Sequence, residues 1–132
     1  MRFNLLADFF QGTKVDTALF KLDDAGYRQY FANIKYGKEL DGITVVLMCQ
    51  DPKLNLKQRI RHSKKERKLY IDIMLNMYEF MSINDEERVR IVSVKLLEEI
   101  PPIIKKYKFK DFDLLKFETD LKNWLIGGKM IN

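Results

Sequence analysis

The sequence predicts an α+β fold, with an antiparallel sheet from the N-terminal half and C-terminal helices packed on one face of that sheet. Alternating apolar and polar residues up to Leu75 favour strands, whereas apolar residues at helical spacing beyond it favour helices. The length of 132 residues lies near the commonest domain size. We therefore expect residues 1–132 to form a single domain.

The N-terminal part contains two candidate strands and one short candidate helix. Arg2–Phe9 and Val15–Leu22 are the candidate strands, and Asp23–Gly26 is expected to form a turn or a helix start. In Tyr27–Ile34 the apolar residues recur at helical spacing, which favours a short helix that stops near Gly37.

The clearest strand of the sequence covers Ile43–Gln50. Its apolar side chains face both sides of the predicted sheet, which is typical of a strand in the centre of a sheet. Asp51 and Pro52 follow, and the strand is expected to end there because proline cannot donate a hydrogen bond to a neighbouring strand.

Two alternating runs around a short polar turn predict a β-hairpin. Leu54–His62 is the first strand, Ser63–Glu66 is the turn and Arg67–Leu75 is the second strand. In the first strand, one face is expected to carry the apolar side chains Leu54, Leu56 and Ile60. In the second strand, the side chains expected to point inward are Leu69, Ile71, Ile73 and Leu75.

The apolar period changes to a helical one after the hairpin. A short helix is expected around Tyr78–Met81, and Asn84 is expected to cap a longer helix with an acidic first turn. Pro101-Pro102 lies inside the apolar stripe of this longer helix. We expect a kink or break there, because proline removes a helix hydrogen bond and clashes with the preceding turn.

A last helix is predicted near the C-terminus. Asp111 or Asp113 is expected to cap it, and Gly127-Gly128 is expected to end it. The residues expected on its buried face are Leu114, Phe117, Leu121, Trp124 and Leu125.

The composition argues against a membrane protein and against a disulfide. The longest stretch without a charged residue, Gly42–Gln50, has nine residues, whereas a membrane-spanning helix needs about 20. The N-terminus is too short and too polar for a signal peptide, and the single Cys49 cannot form an internal disulfide. We therefore expect a cytoplasmic protein.

The sequence contains no recognisable catalytic or metal-binding constellation, and we expect neither a cofactor nor an enzyme. His62 is the only histidine, and basic residues surround it without a nearby carboxylate to orient it, so we expect a solvated side chain. One histidine and one cysteine cannot complete a structural zinc site. The carboxylate clusters Asp23-Asp24, Asp85–Glu87 and Glu98-Glu99 are local runs that fit turns and solvated helix faces.

The strongest functional candidate is a basic run in the predicted hairpin. The net charge is +5, and eight of the 24 Lys and Arg residues lie in Lys53–Lys68. Such a surface could bind an acidic protein partner, bind the phosphates of a nucleic acid, or merely protect the edge of the sheet from aggregation. The residues predicted to contact a partner are Arg59, Arg61, Lys64, Arg67 and Tyr70.

The segment from Tyr36 to Trp124 resembles a family of bacterial immunity proteins, which are encoded beside polymorphic toxins, including those of contact-dependent growth inhibition. The stretches that carry the resemblance are Tyr36-Gly37, Ile43–Cys49, Lys65–Asp72, Tyr78–Phe80, Asp85–Arg88, Phe112-Asp113 and Asp120-Leu121. The segment that contains them covers about two-thirds of the chain, and the first 35 residues add nothing to the resemblance.

The resemblance implies a non-enzymatic protein that binds the toxic C-terminal domain of a cognate toxin and occludes its active site. Inhibitors of basic nuclease toxins are often acidic, whereas this chain is basic. The toxin therefore presents an acidic surface, or is not a nuclease, or meets a local acidic patch of this chain. A small basic nucleic-acid-binding module is the alternative function.

Overall fold

The computed structural model describes residues 1–9 and 27–127. The predicted strand Val15–Leu22 and the predicted turn Asp23–Gly26 lie outside these residues. The described helices and strands are, in chain order, β1 (Arg2–Phe9), α1 (Tyr27–Ala32), β2 (Gly42–Gln50), β3 (Ile60–Ser63), β4 (Lys68–Asn76), α2 (Met77–Met81), α3 (Asp85–Tyr107) and α4 (Leu114–Gly127).

The four described strands form one mixed sheet in the order β1-β2-β4-β3. β1 is parallel to β2 and β2 is parallel to β4, whereas only β3 and β4 are antiparallel. The α+β class is confirmed, but the prediction of an antiparallel sheet is wrong. Two long connections explain the difference, because β1 and β2 are joined through α1, and β3 lies between β2 and β4 in the chain.

One face of the sheet forms most of the protein core. Strand register places Phe3 beside Ile43 and Ile43 beside Leu69, and all three side chains are buried. Every second residue along β2 and β4 repeats this arrangement, and β2 lies between two strands as predicted. The inward residues of the two strands are Ile43, Val45, Leu47, Cys49, Leu69, Ile71, Ile73 and Leu75.

The link between β2 and β3 differs from the prediction. Pro52–Leu54 forms a 3-10 turn that Asp51 caps by accepting a hydrogen bond from the Lys53 N–H at 2.9 Å. Asn55 then adopts a left-handed conformation, with φ of 49°. The predicted strand Leu54–His62 is therefore wrong before Ile60, since Leu54 belongs to this turn and residues 55–59 have no regular secondary structure.

The N-terminal strand and the first helix agree with the sequence. β1 has the predicted bounds Arg2–Phe9, and α1 covers the first part of the predicted helix. Phe31 of α1 is fully buried, with its ring 5.1 Å from the ring of Phe3 and 6.0 Å from that of Trp124. Aromatic packing therefore holds α1 against β1 and α4.

α3 is one helix of 23 residues, and Asn84 caps it by accepting the Glu87 N–H at 2.9 Å, as predicted. The helix continues through Pro101-Pro102, so the expected break is absent from this described helix. Ile100 and Ile104 are buried on either side of the prolines. We attribute the continuity to this packing, which stabilises the helix on both sides of the lost hydrogen bonds.

α4 completes the core. Asp113 accepts the Lys116 N–H at 3.1 Å, which selects Asp113 rather than Asp111 as the cap. Phe117, Leu121, Trp124 and Leu125 are buried as predicted, whereas Leu114 is only half-buried. The buried residues of α3 and α4 belong to the same core cluster as the inward face of the sheet.

Candidate protein-binding surface

The β3–β4 hairpin carries the predicted basic surface. Its strands pair with Arg61 opposite Tyr70 and Ser63 opposite Lys68. A turn joins them, in which the Arg67 N–H donates to the Lys64 carbonyl at 3.3 Å. The hairpin prediction is therefore confirmed, although β3 is only four residues long.

Arg61 and Tyr70 form a cross-strand pair on the face of the sheet opposite the core. The guanidinium carbon of Arg61 lies 4.2 Å from the centre of the Tyr70 ring, a cation–π contact. The Tyr70 hydroxyl donates a hydrogen bond to Glu66, which raises the pKa of Tyr70 and lowers that of Glu66. The pair is thus held in place while the edges of the guanidinium keep N–H donors for a partner.

Arg59 lies next along the same edge, where it contacts a buried carboxylate. Its Nε is 3.2 Å from Oδ2 of Asp72, and its backbone N–H lies 3.3 Å from the same oxygen. The side chain of Arg59 is 81% exposed, whereas that of Asp72 is 11% exposed. The ion pair satisfies the buried charge of Asp72, and most of Arg59 remains available for contact.

Lys64 and Arg67 lie at the turn end of the hairpin. Lys64 is exposed, and Arg67 adopts a positive φ of 55°. The guanidinium of Arg67 donates to the Lys38 carbonyl at 3.3 Å and lies 3.4 Å from a carboxylate oxygen of Asp41. These contacts tie the turn to the start of β2. The structure therefore brings Arg59, Arg61 and Tyr70 together and places Lys64 and Arg67 at the far end.

His62 is not the solvated side chain that the basic sequence around it predicts. The β3–β4 register pairs it with buried Leu69, so its ring faces the same side of the sheet as the core. The ring packs edge-on against Phe109 at 5.0 Å and Tyr107 at 5.7 Å. Its Nε2 atom is buried, and no hydrogen-bond partner for it lies among residues 1–9 and 27–127.

The contacts of His62 connect β3 to the C-terminal end of α3, on the side of the sheet opposite Arg61 and Tyr70. Tyr107 and Phe109 stack with ring centres 5.9 Å apart and are interleaved with exposed lysines. Tyr107 and Phe109 were not predicted from the sequence to form part of a surface, although the alternation of lysine and aromatic residues indicates one. The lysines concerned are Lys105, Lys106, Lys108 and Lys110.

Carboxylates divide the positive charge of this surface. Asp72 lies beside Arg59, Glu66 beside Tyr70, and Asp41 beside Arg67. A phosphate backbone needs a run of cations that are free to replace its counterions. The alternating charges suit a folded protein partner, which can place its own charges opposite each one.

The carboxylate clusters of the sequence have local roles. Glu99 accepts a hydrogen bond from the Gln58 amide at 3.0 Å and lies 3.7 Å from Nζ of Lys95. Asp85 pairs with Arg88 at 2.8 Å within the first turn of α3. In the described part of the chain, no group of three His, Cys, Asp or Glu residues could hold a metal ion. Asp23-Asp24 lies outside that part.

The helices that the structure describes include none with the length and apolar character needed to cross a lipid bilayer.

Comparison with known protein families places the chain among the immunity proteins, since a family model described as Immunity protein 44 matches residues 1–127. The chain belongs to this Imm44 family, a family of polymorphic-toxin immunity proteins. No curated protein and no solved structure gives a significant match.

The family match confirms the resemblance found in the sequence and extends it. The resemblance covered Tyr36 to Trp124, whereas the match also includes the first 35 residues. Membership implies a cognate toxin as partner, and it confirms the prediction that the chain is not an enzyme.

Proposed function

We propose that this chain binds the toxic C-terminal domain of its cognate toxin one-to-one and neutralises it by occluding the active site. The observation that carries this proposal is the Imm44 match over residues 1–127. The chain acts as a single domain in the bacterial cytoplasm, and toxins of contact-dependent growth inhibition are among its candidate partners.

The basic hairpin surface, which consists of Arg59, Arg61, Lys64, Arg67 and Tyr70, is the proposed contact. Neutralisation at low toxin concentration needs nanomolar affinity, or about −12 kcal/mol. A standard interface of about 1,600 Å² buries about 800 Å² on each partner. The chain exposes 8207 Å², so about a tenth of its surface is enough.

The stacked Arg61–Tyr70 pair supports this choice of surface. Arginine and tyrosine are enriched among the residues that dominate binding energy, and rigid side chains lose little conformational entropy on binding. The basic character of the surface favours a toxin that presents an acidic surface around its active site. A non-nuclease toxin, or contact through the acidic start of α3, remains an alternative for the same function.

The test is the association of purified chain with the toxin domain encoded beside its gene. Replacing Arg59 and Arg61 together by alanine should slow association several-fold at low salt, because complementary charges accelerate encounter and salt screens them. The difference should shrink at high salt. The melting temperature of this double variant, and that of the control variant described next, establish that each is folded.

The matched control removes two exposed cations elsewhere, by the double substitution of Arg90 and Lys122 with alanine. The two double variants have the same net charge, so a difference in their association rates does not come from net charge. Equal association rates for both would show that the toxin binds another surface. A gel shift with random DNA and RNA at two salt concentrations tests the nucleic-acid alternative, since phosphate binding falls steeply with salt.

A further inference from the structure

Among residues 1–9 and 27–127, β3 is an edge strand of the sheet. It is the last strand in the order β1-β2-β4-β3, and no described strand pairs with its other side. The Arg59 carbonyl accepts the Asp72 N–H at 3.0 Å. Backbone groups alternate in direction along an antiparallel strand, so the N–H and C=O groups of Ile60 and His62 point away from β4.

A groove runs along this edge. Its volume is about 500 Å³, and its lining residues are Gln58, Ile60, Ile103, Lys106 and Tyr107. The lining therefore combines residues beside and within β3 with residues from the C-terminal half of α3. Aliphatic and aromatic side chains line it, and Lys106 adds a positive charge.

The ends of the groove are fixed by contacts within the chain. At one end the Gln58 amide donates to the Asp72 carbonyl at 2.7 Å and to Oε1 of Glu99 at 3.0 Å. At the other end His62 packs against Phe109 and Tyr107. A preformed site of this kind loses little entropy when a ligand binds.

The two sides of this edge differ in chemistry. Ile60 faces the apolar groove, whereas Arg59 and Arg61 face the opposite side of the sheet, where Arg59 is 81% exposed. A strand added to β3 would alternate its side chains between these two sides. Apolar side chains would fill the groove, and acidic side chains would meet the two arginines.

We propose that the edge of β3 receives an extended segment of the toxin domain, in which acidic and apolar residues alternate, as a fifth strand. This inference rests on the proposed function and names how the toxin is bound. Backbone hydrogen bonds to Ile60 and His62 supply affinity, and the arginines and the groove supply specificity. Because β3 has four residues, the toxin segment that pairs with it is expected to have about the same length.

The direct test is residue-resolved amide hydrogen exchange of the full chain, free and bound to the toxin domain encoded beside its gene. The amides of Ile60 and His62 should exchange at least about 100-fold more slowly in the complex, because they gain hydrogen bonds. The Arg61 amide serves as an internal reference, since it already faces β4. Tight binding without slower exchange at Ile60 and His62 would overturn the β3 proposal and leave the proposed function intact.

A matched pair of substitutions supplies an independent readout. His62→Ala removes the imidazole and keeps the backbone N–H, whereas His62→Pro removes both. Proline is compatible with an edge strand when the lost N–H points away from the sheet. We expect His62→Pro to bind the toxin domain at least about fivefold more weakly than His62→Ala.

Three outcomes separate the two proposals. Equal affinity of the two folded variants would contradict strand addition at β3. If His62→Pro binds the toxin domain more weakly than His62→Ala, and the two variants have the same melting temperature, the result would support strand addition at β3. No binding of the toxin domain by the unsubstituted chain would refute the proposed function and the inference together.

Discussion

Replacing Phe31 by alanine tests whether α1 is held to the core in the way the structure shows. The Phe31 side chain is 0% exposed. Its ring lies 5.1 Å from that of Phe3 and 6.0 Å from those of Phe117 and Trp124. The substitution leaves a cavity between α1, β1 and α4, because none of these rings can move into the space without leaving its own contacts.

The expected loss of stability is about 4 kcal/mol, the middle of the range for a buried phenylalanine replaced by alanine. For 132 residues the entropy of unfolding is about 0.28 kcal/mol per kelvin. The melting temperature should therefore fall by about 14 °C.

Thermal unfolding followed by circular dichroism measures this shift. Leu115→Ala is the control, since that side chain is 76% exposed and its loss should change stability by no more than about 0.5 kcal/mol. A fall of less than about 4 °C for Phe31→Ala, which corresponds to about 1 kcal/mol, would refute the packing described for α1.

Two further predictions concern a close backbone approach at Gly37 and the buried Cys49. Gly37→Ala should destabilise the chain by about 1–3 kcal/mol in urea unfolding, because its new Cβ would lie 2.7 Å from the backbone oxygen of Asp111; unchanged stability would contradict that close approach. Burial raises the pKa of the Cys49 thiol from 9.0 to about 11. The folded state thus holds this proton more tightly, and the resulting stability is complete below pH 9 and is lost as pH rises through about 11. Urea unfolding across this range should show a smaller alkaline loss in Cys49→Ala than in the unsubstituted chain, and identical pH profiles would count against the burial of the thiol.

Local sequence signals predicted the elements that depend on neighbouring residues. Asn84 was identifiable as a cap, and the cap of α4 was narrowed to Asp111 or Asp113, because a capping side chain bonds to an N–H only three residues away. The central position of β2 followed from apolar residues on both faces. Helix continuity at Pro101-Pro102 did not follow, because packing of distant residues decides it.

Strand direction could not be predicted, because the alternation of side chains is the same in parallel and antiparallel strands. The direction depends on where the connections run, and the β2–β3 link contains the 3-10 turn Pro52–Leu54 in place of a strand. The sequence also lacked the tertiary information needed to predict the surface of the β3–β4 hairpin. The sequence singled out Arg61 and Tyr70, but only the strand register shows that His62 points toward Tyr107.

The most direct test of the central claim is the growth of bacteria that express the toxin domain encoded beside this chain's gene, with and without the chain. We predict normal growth when the chain is present and arrest when it is absent. Growth arrest in cells that contain the folded chain at a concentration above that of the toxin would contradict its role as the immunity protein.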